Sequence, residues 1–128
     1  GMPAYVVNRI QDLLNDQSKA LKGSKVLLLG VTYKPDIADL RESPSLEIAE
    51  LLLEKGTDMI FHDPHANSFR LHGEVLQGVS DLDAAVKSAD VVVLLQAHAA
   101  YDLPAIAAKS KVFFDTRGKM HGPNVERL

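Results

Sequence analysis

Short apolar runs, each too brief to form a helix, are the feature that most constrains the fold of this sequence. They lie at positions 26–29, 59–61, 91–95 and 112–114 of the 128 residues. An unbroken apolar run of this length is typical of a strand that is buried on both faces, as in a parallel sheet. Helical patterns separate the runs, and strands that alternate with helices predict an α/β fold.

The helical pattern begins before the first strand, where apolar residues recur at three- and four-residue spacing from Ala4 to about Leu21. After the first strand, Ser43 suits an N-cap, Pro44 the first helical position and Gly56 a helix stop. The chain therefore predicts a Rossmann-like three-layer α/β/α domain with a mainly parallel sheet, preceded by an N-terminal helix. The predicted helices are about 4–21, 44–55, 81–88 and 103–108, the strands are 25–30, 58–62, 74–79, 91–95 and 111–115, and the last ten residues are expected to fray.

Composition excludes several functions. Fourteen Lys and Arg against seventeen Asp and Glu give a net charge of −3, so a general nucleic-acid binder is not expected. No run of about 18 apolar residues predicts a membrane span, and no export signal opens the chain, so a cytoplasmic location is expected. The absence of cysteine excludes a disulfide, a thiolate metal site and a thiol nucleophile within this sequence. Gly1 before Met2 is typical of a protease remnant, so the chain is expected to be a piece of a longer protein.

The connection after the first strand, residues 31–42, is longer than the two to six residues usual for such loops. It carries Lys34 and Arg41 and leads into a helix N-terminus, which favours an anion such as phosphate. The alternative is that both cations pair with acidic residues of the same loop. Those residues are Asp36, Asp39 and Glu42. Gly30 is followed by no second or third glycine, so the loop lacks the fingerprint of a dinucleotide site.

Two further side chains follow strands at the same edge of the sheet. His98 could act as an acid, a base or a ligand contact, but without a partner carboxylate a structural role at the strand end is favoured. Arg117 could hold a carboxylate or phosphate through two parallel hydrogen bonds. An ion pair between Arg117 and Asp115 is an equal alternative.

His62 and His65 invite a metal hypothesis. They lie in a strand-to-turn segment with Pro64 between them, so their imidazoles are not expected to converge on one point. No metal site is predicted.

These segments resemble the C-terminal, UDP-binding domain of the UDP-glucose/GDP-mannose dehydrogenase family. The motifs that carry the resemblance, which extends from Met2 to about Met120, are residues 30–36, 39–44, 62–64, 89–93 and 115–118. The branch that oxidises UDP-N-acetylhexosamines is the closer match. One departure is Gln96-Ala97-His98, where the family commonly has Thr-Asp-His.

The resemblance implies one part of an NAD-dependent nucleotide-sugar 6-dehydrogenase that serves polysaccharide biosynthesis. Such enzymes oxidise a sugar C6 alcohol to a carboxylate through a thioester on a cysteine, bind NAD mainly in an N-terminal domain, and are expected to be homo-oligomers at full length. Residues 1–22 would then end the central linking helix, and residues 23–128 would bind the UDP-sugar. The chain alone, with no cysteine, is expected to be inactive.

Carried over by position, Tyr33, Lys34 and Arg117 would bind the substrate, and Arg41 would reach the NAD. The resemblance assigns no catalytic residue to this chain. The alternatives from other classes are a stand-alone Rossmann-like nucleotide-binding or regulatory module and a small domain used for subunit contacts. An upstream Gly-x-Gly-x-x-Gly unit would distinguish part of a nucleotide-sugar dehydrogenase from a stand-alone module.

Overall fold

The computed structural model describes residues 1–32 and 43–128, in which helices alternate with the strands of a parallel sheet. The helices are α1 (Met2–Asn15), α2 (Pro44–Glu54), α3 (Leu82–Ser88) and α4 (Leu103–Lys109). The strands are β1 (Lys25–Leu29), β2 (Asp58–His62), β3 (Ser68–Leu71), β4 (Glu74–Gln77), β5 (Val91–Leu94), β6 (Phe113–Asp115) and β7 (Val125–Arg127). None of the helices in these ranges is long and apolar enough to cross a membrane.

Five strands form the main sheet in the order β2-β1-β5-β6-β7, and every neighbouring pair is parallel. Side chains of β1 alternate between the two faces: Val26 and Leu28 pack in the core with α1 and α2, whereas Leu27 and Leu29 pack with α3 and α4. All four are fully buried. The predicted Rossmann-like α/β fold with an N-terminal helix is thereby confirmed.

Helix α1 is shorter than its sequence pattern predicts, since it ends at Asn15 and not near Leu21. Ser18 takes a positive φ of 60°. The N–H of Lys19 then donates to the carbonyl of Leu14 and the N–H of Ser18 to that of Asn15. This is the Schellman arrangement that terminates helices, so Leu21 reaches the core from the following turn.

The strand predicted at 74–79 forms over residues 74–77, but it does not join the main sheet. It pairs antiparallel with β3 in a separate hairpin. Strand β3 is absent from the sequence prediction because its turn, His72-Gly73, places a histidine at a positive φ of 51°. Histidine is an uncommon residue at the first position of such a turn, so the hairpin signal was weak.

The expectation that the last ten residues fray is wrong, because residues 125–127 form β7 on the edge of the main sheet. Asn124 anchors this strand. Its Nδ2 donates to the carbonyls of Ala107 and Ser110, each at 2.8 Å, and its own carbonyl accepts from the N–H of Phe113. A mostly polar sequence thus becomes ordered through hydrogen bonds, with Val125 of β7 also packed against the core.

Replacing Asn124 with alanine is expected to lower the free energy of unfolding by about 1–2 kcal/mol, because two net side-chain hydrogen bonds are lost. The amides of β7 should also exchange faster with solvent. Chemical denaturation and hydrogen exchange measure the two effects. Asn8→Ala, at an exposed position of α1, is the control, and equal behaviour of the two variants would contradict the anchoring role.

Candidate functional site

All five strands of the main sheet end at one edge, because all are parallel, and ligands of open α/β sheets bind beyond that edge. Three described segments that follow these strands carry polar side chains there: Val31-Thr32 after β1, Asp63 after β2 and His98 in the loop after β5. Arg117 leaves the edge after β6. The edge therefore brings together residues that are distant in sequence.

Gly30 allows the backbone of β1 to pass close to the segment that follows β5. Its φ is +78°, and a Cβ at this position would lie only 2.5 Å from the carbonyl oxygen of Gln96. Only glycine fits such a close approach in the left-handed region. Gly30 is thus required by the packing of β1 against the segment after β5.

Asp63 is the centre of a buried polar network at the ends of β1, β2 and β5. Its Oδ2 accepts from the N–H of Val31 at 2.8 Å, the N–H of Thr32 at 2.9 Å and the Thr32 hydroxyl at 3.0 Å. Its Oδ1 accepts from the N–H of His65 at 2.8 Å. The side chains of Asp63 and His98 are fully buried, and His98 Nε2 lies 3.2 Å from the same Oδ2.

The hydrogen bonds of Thr32 determine where His98 carries a proton. Thr32 Oγ1 donates its only proton to Asp63, yet it also lies 2.8 Å from His98 Nε2. A hydroxyl has one donor and can accept as well, so the proton in this second contact belongs to the ring. His98 is therefore protonated at Nε2 and donates to Thr32.

The electrostatics of the network keep Asp63 ionised. Burial alone raises the pKa of the Asp63 carboxyl, but the hydrogen bonds from the Thr32 N–H, the His65 N–H and the Thr32 hydroxyl, together with nearby His98, outweigh it. The pKa of this carboxyl is consequently below its ordinary value of 3.8. A buried carboxylate with several donors is a stable anion at neutral pH.

His62 and Tyr101 extend the network. The Tyr101 hydroxyl donates to the carbonyl of His62 at 3.0 Å and lies 2.9 Å from His62 Nδ1. Burial, followed by the charge of Asp63, raises the pKa of Tyr101, so the hydroxyl keeps its proton. Burial also lowers the pKa of His62 below its ordinary value of 6.5, although the charge of Asp63 opposes this shift. His62 is therefore neutral at physiological pH.

Three residues that the sequence predicts for the site, Tyr33, Lys34 and Arg41, lie outside the described residues. The structure describes the positions on either side of residues 33–42. Ser43 Oγ donates to the carbonyl of Val31 at 3.0 Å and accepts from the N–H of Ser45 at 3.2 Å, as the N-cap of α2. The start of α2 is thus tied directly to the end of β1.

Arg117 is exposed at the opposite side of the edge, on a turn shaped by Asp115. The fully buried carboxylate of Asp115 accepts the backbone N–H groups of Arg117, Lys119 and Met120. Within residues 1–32 and 43–128, no carboxylate lies within ion-pairing distance of the Arg117 guanidinium. The alternative ion pair between Arg117 and Asp115 is therefore wrong, because the backbone occupies that carboxylate.

A cleft of about 140 Å³ lies beside Arg117. Apolar side chains of α1 and α2 form one wall, the start of α2 contributes Pro44 and Ser45, and the ends of β5 and β6 contribute Gln96 and Thr116. A helix N-terminus with a nearby arginine favours an anionic group, and the apolar wall accommodates an uncharged one.

The two histidines of the metal hypothesis have other contacts. His62 contacts Tyr101, and the ring of His65 packs edge-on against the ring of His98 with centroids 5.0 Å apart. In the described parts of the chain, no group of three or more His, Cys, Asp or Glu side chains could hold a metal ion.

Sequence reasoning identified Arg117 and His98 at this edge but not the partner of His98. Asp63 lies 35 residues away, and it becomes a neighbour only because β2 and β5 flank β1. One feature of the sequence could have indicated this pairing. Asp63 directly follows a predicted strand, so it lies at the same edge of the sheet as the loop that carries His98. The structural role favoured for His98 agrees with its burial, whereas the premise that it has no carboxylate partner is wrong.

The fold and the edge together define a Rossmann-like ligand-binding domain, with a buried polar network on one side and, on the other, a largely apolar cleft beside Arg117. The chain belongs to the UDP-glucose/GDP-mannose dehydrogenase family, since the sequence profile of that family's UDP binding domain matches residues 27–122. The family resemblance of the motifs is thereby confirmed.

Individual relatives agree with this assignment. The UDP-N-acetyl-D-mannosamine dehydrogenase of Methanococcus maripaludis is 34% identical over 124 residues, covering 91% of this chain and 27% of the relative. The solved UDP-N-acetyl-mannosamine dehydrogenase of Staphylococcus aureus is 33% identical with a TM-score of 0.74, covering 99% of this chain and 30% of that one. An NDP-N-acetyl-D-galactosaminuronic acid dehydrogenase of Methanosarcina mazei is 26% identical with a TM-score of 0.80, covering 99% and 28%. The chain spans about a quarter of the length of the relatives it matches.

Proposed function

We propose that this chain binds the UDP part of a nucleotide sugar at the carboxyl edge of its main sheet. The observation that carries the proposal is Arg117, an exposed cation without an ion-pair partner among the described residues, beside the cleft at the start of α2. A guanidinium matches phosphate oxygens through two parallel hydrogen bonds. The family match supports UDP as the nucleotide.

On the other side of the edge, the carboxylate at the position that binds ribose in dinucleotide-binding Rossmann domains is buried, which favours the Arg117 side. In dinucleotide-binding Rossmann domains, an acidic residue on the second strand holds the ribose hydroxyls. Asp63 directly follows β2, but its carboxylate is buried and already accepts from Val31, Thr32 and His65. The side chain of Asp63 has no surface exposed to a ribose, so NAD is not expected to bind this domain in the usual dinucleotide manner.

The roles of the remaining site residues follow the family pattern. Tyr33 and Lys34 would contact the substrate together with Arg117, and Arg41 would reach NAD that is bound mainly by another domain. The 1–22 segment, in which α1 ends at Asn15, would contain the end of a linking helix, and 23–128 would be the binding domain. In the complete protein, this domain would serve an NAD-dependent 6-dehydrogenase that forms a UDP-uronic acid for polysaccharide biosynthesis. The relatives that are named for UDP-N-acetyl-D-mannosamine favour an N-acetylhexosamine substrate. The chain has no cysteine, so the thioester would form on a cysteine elsewhere in the polypeptide.

Hydrogen exchange of this chain with and without UDP tests the proposal. UDP should slow exchange most in residues 31–43 and 115–118, because the nucleotide would cover these segments, while NAD should leave the pattern unchanged. The chain mixed with NAD and a UDP-N-acetylhexosamine should produce no NADH, because no thioester can form.

Protection elsewhere, or equal protection by ADP and UDP, would contradict a UDP site and favour a general nucleotide-binding module. NADH production by the pure chain would contradict the division of labour between domains. Inorganic phosphate is the control for occupancy of Arg117 by any anion.

A further inference from the structure

Thr32 lies at the end of the described chain before residues 33–42, and three strands converge on it. It is fully buried. Asp63 from β2 accepts its N–H and its hydroxyl, and His98 from the β5 loop donates to its oxygen. The direction in which the backbone leaves β1 is thus fixed from both neighbouring strands.

The backbone groups that donate to Asp63 show which parts of the chain this network stabilises. Its backbone partners are Val31, Thr32 and His65, which all lie beyond the ends of their strands and belong to loops. The sheet hydrogen bonds would form without Asp63. For stability alone, well-packed apolar residues often do as well as a buried charged pair, so the network is better explained by the loop geometry that it specifies.

We propose that Thr32, held by Asp63 and His98, is a positioning residue for the UDP site. The inference rests on the proposed function and adds residues that touch no ligand, because the side chains of Asp63 and His98 are fully buried. Thr32 directly follows Val31, whose carbonyl accepts from the hydroxyl of Ser43 at the N-cap of α2. The start of α2 lines the cleft beside Arg117, so the network is connected to the proposed site through described residues.

A pair of substitutions at Thr32 separates its hydroxyl from its volume. Thr32→Val keeps the shape but removes the hydroxyl, whereas Thr32→Ser keeps the hydroxyl. By calorimetric titration, Thr32→Val is expected to raise the Kd for UDP about tenfold and Thr32→Ser less than about threefold, because preorganisation of binding groups contributes to affinity. Ser110→Ala is the matched control: it removes a buried hydroxyl that donates to Ile106 at 2.7 Å, at the amino end of β6.

A second pair makes the test independent of how well Thr32→Val folds. Gln can place an amide N–H near the position of His98 Nε2, whereas Leu cannot donate. His98→Leu should therefore weaken UDP binding about tenfold, and His98→Gln should restore most of the affinity.

The outcomes are distinguishable. Wild-type chain that does not bind UDP would overturn the proposed function and the positioning role with it. Suppose instead that the wild-type chain binds UDP and that Thr32→Val and His98→Leu bind it equally well, despite lower free energies of unfolding. This result would overturn the positioning role alone. Rescue by Thr32→Ser and His98→Gln, with the Kd of Ser110→Ala unchanged, would support it.

Discussion

Asp63→Ala is expected to lower the free energy of unfolding of this domain by about 3–5 kcal/mol, because it leaves several buried donors without an acceptor. Val31 and Thr32 are 1% and 0% exposed, so water cannot replace the carboxylate at their N–H groups. The Thr32 hydroxyl and the N–H of His65 lose the same acceptor group. Such a loss is a large part of the roughly 5–15 kcal/mol by which domains are stable. Urea denaturation measures it.

A matched control is Asp81→Ala, which removes an exposed carboxylate that caps α3 by accepting from Ala84. It should cost about 1 kcal/mol, as N-caps usually do. Similar losses in the two variants would contradict the central role of Asp63.

Acid provides a second check on Asp63. Its pKa is lower in the folded state than the ordinary 3.8, so the folded protein binds the proton less readily than the unfolded chain. The stability that the carboxylate contributes is then fully present above pH 3.8 and is lost as pH falls through the lower folded value. The difference between wild type and Asp63→Ala should accordingly be constant near neutral pH and shrink below about pH 4.

The sequence predicted the main sheet well where apolar runs are the signal. Val91–Leu94 and Lys25–Leu29 are central strands, and their burial is what an unbroken apolar run implies. The prediction failed where polar contacts decide the structure. Strand β7 depends on Asn124, and the end of α1 depends on a serine in the left-handed region. Neither is visible as a hydrophobic pattern.

The candidate site divides in the same way. Arg117 was predictable because its position follows directly from the end of a strand. The network of Asp63, Thr32 and His98 was not, since its members lie 31 to 66 residues apart and meet only through the strand order β2-β1-β5. Hydrophobic patterns along the sequence predict the strands. The order of the strands in the sheet, which these patterns do not contain, decides which of the following loops become neighbours.

Arg117→Ala should weaken UDP binding by one to two orders of magnitude. A hydrogen bond to a charged group contributes about 1.5–3 kcal/mol, which corresponds to roughly tenfold to more than hundredfold in Kd. The fold should be unaffected, because the turn is held by the Asp115 carboxylate and the Arg117 backbone, which alanine retains. Calorimetric titration with UDP, together with urea denaturation, separates the two effects.

Two controls make this result specific to the guanidinium. Lys119→Ala removes a nearby exposed cation whose backbone N–H also donates to Asp115, so it reports the general effect of one lost charge. Arg117→Lys keeps the charge but not the planar pair of donors, and an intermediate affinity is expected because lysine binds phosphate as a point charge. If Arg117→Ala binds UDP as tightly as wild type, Arg117 does not hold the nucleotide. If Lys119→Ala weakens binding equally, the attraction is a general field of positive charge, and the binding at Arg117 has no bidentate character.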